Sequence, residues 1–437
     1  MLHSLRRGVL LAMIWAVAAP SAVRTLTILH TNDLHARLLP LENHHGGFAY
    51  LASAIRHERE HCNDCILLNA GDVAQGTPVS TIFRGLPVFE IVNLLGYDAA
   101  TLGNHDFDYG WEQTRKFMEI AKYPMVSSNI VDAKGALFTK PYVILQVNGL
   151  KIGVLGAMTE ELKTLSTPKL TGEWHTTPVV ETVRKYAKQL RPQCDLVVLV
   201  AHINSREELA VLKTVPEVQV TVSGHLHTVL PQALVQDGRL VVREKGYAEG
   251  LGRLELKVDT EKKAAVAYEW KHILIDAGLP PADDVAKLVK HWEDEVGAKV
   301  DRPLAISKHA FTNPQMKALI ERAMREETGA DFAHMNLGGI RDRLPEGEIK
   351  ERNIWNIMPF DNQVVIGRFK GRDLPPVVVG DRKIDPDKPY SLAVSDYTAA
   401  NQGTSENLRT TGLEFPEDAG MLRDLLIDWC RKKKVIE

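Results

Sequence analysis

Five short apolar runs before residue 230 of the chain break off in the same way. "TLTILHTND", "CILLNAGD", "DAATLGNHD", "CDLVVLVAHIN" and "VQVTVSGHLHT" are each suited to a strand buried on both faces, and each ends at once in Asp, Asn or His. "PMVSSNI" repeats the apolar part of the plan. Helical spacing fills most of the gaps, as with Phe48, Leu51, Ala52 and Ile55 after the first run. Alternation of this kind predicts an α/β fold, and the carboxyl ends of its strands are where such sheets form a ligand crevice.

The residue types at those ends point to a metal. Asp33 and His35 in "DLH" are two apart, so they point to the same side if the strand continues, and His225 and His227 in "GHLH" share that spacing. Carboxylate with imidazole suits Zn²⁺, Mn²⁺ or Fe, whereas a dedicated Ca²⁺ site would be all oxygen. A lone strand-end Asp is usually a helix cap. Five polar ends in order share a location that composition alone does not produce, and together they predict a metal site. Most other histidines, His44 and His45 among them, are expected on the surface or in loops.

Composition adds limits. Apolar content of 44% and charged content of 25% are ordinary for a globular protein, and a formal net charge of −3 lacks the basic footprint of a nucleic-acid binder. At 437 residues the chain exceeds one compact core, which predicts two domains and a connector. The start, "MLHSLRRGVLLAMIWAVAAPSAV", has Arg6 and Arg7, an apolar stretch from Gly8 to Ala19, and small residues near Ser21 and Ala22. That is the plan of a secretory signal peptide over residues 1–22. Its apolar run is shorter than the ~20 residues that cross a bilayer, and no later segment reads as a span. Export to the periplasm or the outside is expected. Of four cysteines, Cys62 and Cys65 in "CNDC" are spaced for a local disulfide or are two inert thiols, and Cys194 and Cys430 are not spaced as a second zinc pair.

Within the first domain, "YVILQVNGLKIGVLGA" carries an Asn-Gly hairpin signal at Asn148 and Gly149. "LGRLELKVD" and "AAVAYEWKHILI" close the region with antiparallel character. Pro280 and Pro281 then precede "ADDVAKLVKHWEDEVGAKV", where Val285, Leu288, Val289, Trp292 and Val296 form one apolar face behind an acidic start. The expected division is a catalytic domain over 23–277, a connector helix over 278–300 and a second domain over 301–437.

The order DxH, GD, GNHD, AH and GHxH resembles that of the calcineurin-like metallophosphoesterases. "ILHTNDLHARL", "GDVAQGTP", "GNHDFDYG" and "VSGHLHT" are similar to the 5'-nucleotidase branch, and "NLGGIRDRLPEGEI" with "IWNIMPFDNQVVIGRFKG" extends the resemblance through the C-terminal domain. It implies an α/β fold with a helix-flanked N-terminal metallophosphoesterase β-sandwich and a smaller α+β substrate-binding domain. It also implies two divalent ions, with Zn²⁺ or Mn²⁺ favoured and Mg²⁺, Fe or Co²⁺ as alternatives. Asp33, His35 and His227 would hold one ion, and Asp72 would bridge to a second held by Asn104, His202 and His225. His105 would face the scissile phosphate as an acid or electrostatic group. Asp108 would orient His105 or, in the alternative, cap a helix; Asp106 would be a cap or a support.

The same resemblance makes Phe360 and Tyr397 a clamp for a nucleobase, with Asn336 and Arg341 on polar groups of the substrate; Phe360 could instead be core. The substrate class implied is a small-molecule nucleotide or another phosphoester. Departures are confined to the second domain. In "FTNPQMKALIERAM", Arg322 stands where the family has Asp and no Arg occupies the expected upstream place, and after Tyr397 the usual Gly-Gly-Asp-Gly loop is "NQGTSE". Three readings follow: a nucleoside monophosphatase, the same chemistry on a nucleotide sugar, cyclic nucleotide, other phosphoester or thiosulfate ester, and a secreted binding protein on an inactive scaffold.

Overall fold

The computed structural model describes residues 23–437 apart from 42, 63, 277 and 405–407. The expected leader over residues 1–22 lies outside the described residues. Among the described residues no helix is long and apolar enough to cross a membrane.

Two sheets lie face to face. One has five strands in the order Ala264–Leu274, Gly250–Asp259, Val23–Thr31, Cys65–Asn69 and Ala99–Ala100; the other has six, Leu234–Gln236, Arg239–Arg243, Val220–Ser223, Leu196–His202, Leu150–Met158 and Tyr142–Val147. The period-2 alternation of a strand explains the layering. Leu26, Ile28, Ile66 and Leu68 turn inward to meet Val154, Val198, Val200, Val220 and Val222. From the opposite faces, Leu29 and Leu67 pack under the helix Phe48–Glu60 through Phe48, Leu51, Ala52 and Ile55. Leu155, Val197 and Leu199 pack against Val183 and Ala187 of the helix Val179–Leu190. Strands covered on both faces read as continuous apolar runs, and each fully buried side chain contributes roughly 1.5–3 kcal/mol of burial.

The central strands of both sheets run parallel, so their carboxyl ends meet at one rim. The antiparallel pairs are at the margins. Tyr142–Val147 and Leu150–Met158 form a hairpin whose turn residues Asn148 and Gly149 have φ of 49° and 68°, the left-handed pair that a tight hairpin turn needs. "PMVSSNI" is strand-like only in part: Met125 and Val126 make isolated parallel bridges to Ala100 and Lys140, and Ile130, with Val131 just beyond the stretch, pairs with His175–Thr176. Between these pairings its buried polar side chains add bonds to the neighbouring backbone: Ser128 Oγ donates to the Gly156 carbonyl at 2.7 Å, and Asn129 exchanges hydrogen bonds with the Met158 backbone at 2.7 and 2.9 Å.

The connector helix Asp283–Val300 opens with Asp283 and Asp284 and buries Val285, Val289, Val296 and Val300, with Leu288 and Trp292 packed alongside, all against the first domain. Beyond it, a three-stranded and a four-stranded sheet pack with the helices Asn313–Thr328 and Leu422–Lys433, an α+β arrangement with its own core around Met316, Ile320, Leu426 and Trp429. Cys62 and Cys65 are joined in a disulfide with Cα atoms 5.9 Å apart, which decides between the two sequence alternatives; Cys194 and Cys430 are free and buried.

Candidate metal centre

The rim where the parallel strands end gathers the polar residues. His202 is the last residue of its strand, and Asp33, His35, Asp72, Asn104, His225 and His227 follow closely on the ends of theirs. Asp33 and His35 do not converge by strand alternation, since the first strand ends at Thr31. Asp33, His35, Asp72, His225 and His227 have φ of 51°, 49°, 55°, 78° and 55°, a left-handed conformation that side chains other than glycine adopt at a cost. Hydrogen bonds between the loops hold them there: Asp33 N–H donates to the Gly71 carbonyl at 2.9 Å and His35 N–H to the Asp72 carbonyl at 3.0 Å.

Two overlapping groups result, Asp33, His35, Asp72 and His227 in one, and Asp72, His202 and His225 in the other, with ligand atoms within 4.8 Å of one another in each. His35 Nε2 and His227 Nε2 face each other at 3.0 Å, and His202 Nε2 lies 3.1 Å from both Asp72 Oδ2 and Asn104 Oδ1. His225 Nδ1 lies 3.2 Å from His202 Nε2. The donor set fits a cation pair on two counts. Asp72 Oδ2 is buried and accepts no hydrogen bond. His35 Nδ1 and His202 Nδ1 donate to the carbonyls of Gln75 and Ala70, both at 2.8 Å, which leaves each Nε2 a lone pair aimed into the cluster.

The electrostatics carry the same sign. Burial alone would lower His202, yet Asp72 and then Asp33 push it up to about 9, a measure of the negative charge gathered here. Burial and the neighbouring His202 push His225 down to about 4, so its imidazole is neutral and a ready donor. Burial also opposes protonation of His105, but Asp108 and Asp72 outweigh it and hold His105 above the usual imidazole value. His105 Nδ1 is 2.7 Å from Asp108 Oδ2. Asp106 is both a cap and a support. Its Oδ1 accepts from Val73 and Ala74 N–H at 3.1 Å and its Oδ2 from Gly103 N–H at 2.8 Å, so it ties the Asp72 loop to the Asn104 loop.

The C-terminal half reaches this rim. Arg341 places a guanidinium nitrogen 3.4 Å from His35 Nε2 and its Cζ 5.7 Å from the Phe360 ring centroid, and Phe360 stacks on His105 at 5.6 Å. Asn336 is buried, with Oδ1 3.5 Å from Thr398 Oγ1, and Tyr397 Oη lies 3.3 Å from the Thr164 carbonyl. Arg322, the departure from the family pattern, lays its guanidinium over Trp429 at 5.1 Å.

Residues not among the expected site residues do much of the holding. Gln75 donates to the Pro359 carbonyl at 3.0 Å, and Arg37 pairs with Asp342 at 3.2 Å. Tyr247 Oη is 3.0 Å from His227 Nδ1. Gln75 lies inside the "GDVAQG" stretch and could have been found there; Tyr247 is far from any motif.

Comparison with known proteins agrees with this geometry. Residues 26–229 match the calcineurin-like phosphoesterase family and residues 295–377 the 5'-nucleotidase C-terminal domain. A 5'-nucleotidase of Bos taurus is 29% identical over 486 residues, spanning 96% of this chain and 81% of that protein. Protein UshA of Yersinia enterocolitica is 25% identical over 465 residues, spanning 91% and 84%. A 5'-nucleotidase precursor from Thermus thermophilus shares the fold with a TM-score of 0.86 at 23% identity, over 95% of this chain and 97% of that one. The chain belongs to the calcineurin-like phosphoesterases that carry a 5'-nucleotidase C-terminal domain, and it is a metal-dependent phosphoric ester hydrolase.

Proposed function

We propose that the protein is an exported dinuclear metallophosphatase that hydrolyses nucleoside 5'-monophosphates to a nucleoside and phosphate. One observation carries the substrate: Arg341 and Phe360, from the second half of the chain, lie against His35 and His105 at the rim. An arginine beside the phosphate position and an aromatic ring beside the acid suit a phosphate joined to a flat base.

In this reading Asp33, His35 and His227 hold one ion and Asn104, His202 and His225 the other, with Asp72 shared. When bound, two divalent cations would polarise the phosphoryl oxygens and bring the pKa of a water to about 7. Arg341 orients the phosphate through paired N–H groups. His105, its Nδ1–H held by Asp108, presents Nε2–H to the 5' oxygen and gives up that proton as the P–O bond breaks. Asn336 binds polar groups of the nucleoside, and Phe360 with Tyr397 holds the base. Zn²⁺ and Mn²⁺ suit the mixed carboxylate and imidazole donors best. The division into a catalytic domain over 23–277, a connector over 278–300 and a substrate domain over 301–437 belongs to the same reading, as does removal of residues 1–22 on export.

A second reading keeps the chemistry and changes the leaving group to another phosphoester. Arg322 packing on Trp429 and the "NQGTSE" loop favour it, since both replace family features of the nucleoside pocket. Kinetics decide between the two. Stacking on a base is worth about 1–3 kcal/mol, so Phe360→Ala and Tyr397→Ala should lower kcat/KM for AMP by roughly 5- to 150-fold while barely changing p-nitrophenyl phosphate hydrolysis. Equal losses on both substrates would refute base recognition by these rings.

A further inference from the structure

Three imidazoles of the cluster have Nδ1 hydrogen-bonded outside it, and the third differs from the other two. His35 and His202 use backbone carbonyls. His227 uses a side chain, the hydroxyl of Tyr247, at 3.0 Å. We propose that Tyr247 is a positioning residue that accepts the Nδ1 proton of His227, turns Nε2 toward His35 and Asp33, and thereby sets the affinity for the cation those three residues hold. The inference rests on the dinuclear reading above.

The tyrosine is built into place from several directions. Its backbone is left-handed, with φ of 63° at Tyr247 and 59° at Ala248. Such a conformation in two residues other than glycine persists only where the surroundings enforce it. Tyr247 N–H donates to the Asp33 carbonyl at 2.7 Å, so the residue is anchored to the same loop that supplies a ligand. A Cβ on the preceding Gly246 would lie 3.1 Å from Asp33 Cβ and 3.4 Å from His227 Cβ, which leaves this segment little freedom to shift. The ring meets His227 edge-on at 5.1 Å and His35 at 5.4 Å. Arg37 covers the ring with its guanidinium at 5.6 Å and is itself fixed by Asp342 and by the Arg341 carbonyl, both at 3.2 Å.

His227 Nε2 lies 3.4 Å from Asp33 Oδ1 and 3.0 Å from His35 Nε2. For that nitrogen to carry a lone pair, the ring proton must sit on Nδ1, and the phenol oxygen accepts it there. Without the hydroxyl the ring can flip or take the other tautomer, which points a proton at the ion position. Loss of such an outer partner usually weakens metal affinity by about 10- to 100-fold.

The test is a calorimetric titration of chelator-treated full-length protein with Mn²⁺, comparing wild type with Tyr247→Phe, which keeps the ring and its packing. The wild type should bind two Mn²⁺. In the variant one binding step should weaken about 10- to 100-fold while the other stays in place, and the curve of activity against Mn²⁺ should move by the same factor with kcat at saturating metal within about 2-fold. Two unchanged affinities in Tyr247→Phe, with or without a lower melting temperature, would make Tyr247 a packing residue and overturn the inference. Fewer than two Mn²⁺ on the wild type would instead remove the dinuclear reading and this inference with it.

Discussion

Gly103→Ala puts one methyl group at the point where the two ligand loops cross. The backbone of Gly103 is extended, with φ of −103° and ψ of 168°, so the substitution carries no conformational penalty of its own. The cost is steric. A Cβ there would lie 2.0 Å from Asp72 Oδ1 and 2.3 Å from Asp72 N, so relief requires a shift of about 1 Å in a close-packed site. Asp72 has little slack, since its φ is 55° and Oδ1 accepts the His105 N–H at 2.9 Å. Overpacking of this kind costs about 1–3 kcal/mol of stability, while a 1 Å misplacement of a catalytic group costs on the order of 10²-fold in rate. Gly96→Ala is the control: φ is 76° and nothing lies within 4 Å of the added Cβ, so it should lose about 1–2 kcal/mol to strain and nothing in turnover. Metal content by atomic emission, melting temperature and kcat on a phosphomonoester compare the pair. Near-normal metal content and kcat in Gly103→Ala, or an equal loss of kcat in Gly96→Ala, would refute the steric argument.

Asp72→Asn should strip metal from both positions and abolish turnover, because a neutral amide replaces the shared charge; a variant that keeps two ions and its rate contradicts the bridging assignment. His105→Ala should keep its metal and lose roughly 10²-fold or more in kcat; loss of metal would make His105 a ligand instead. As an acid, His105 works while protonated, so activity should be full below its raised pKa and fall as pH climbs through it. Asp108→Asn removes the strongest upward influence on that pKa, and the alkaline limb of kcat/KM should move to lower pH. A limb that stays in place would show that another group sets it.

The strands and their polar ends were legible because both signals are local. A strand buried on both faces needs an unbroken apolar run, and the residues after it are free of the packing constraint, so "CILLNAGD" and "VQVTVSGHLHT" announce themselves. How Asp33 and His35 converge was not legible: their left-handed backbones depend on hydrogen bonds to Gly71 and Asp72, some 40 residues on. "PMVSSNI" was legible only in part: Met125, Val126 and Ile130 pair as its apolar pattern suggests, while the buried Ser128 and Asn129 between them bond to the neighbouring backbone with side chains. Tyr247 and Arg37 escape sequence reading for the same reason, since each acquires its role only when two distant segments meet.

The central claim is a dinuclear centre that releases phosphate from a nucleoside 5'-monophosphate. The most direct measurement follows phosphate release from AMP by chelator-treated protein as Mn²⁺ or Zn²⁺ is restored, with bound metal counted in parallel. Activity should be absent without metal and reach its plateau at two ions per chain, with adenosine and phosphate formed in equal amounts. Full activity in the metal-free protein, a plateau at one ion, or no phosphate from AMP at any metal content would contradict the account.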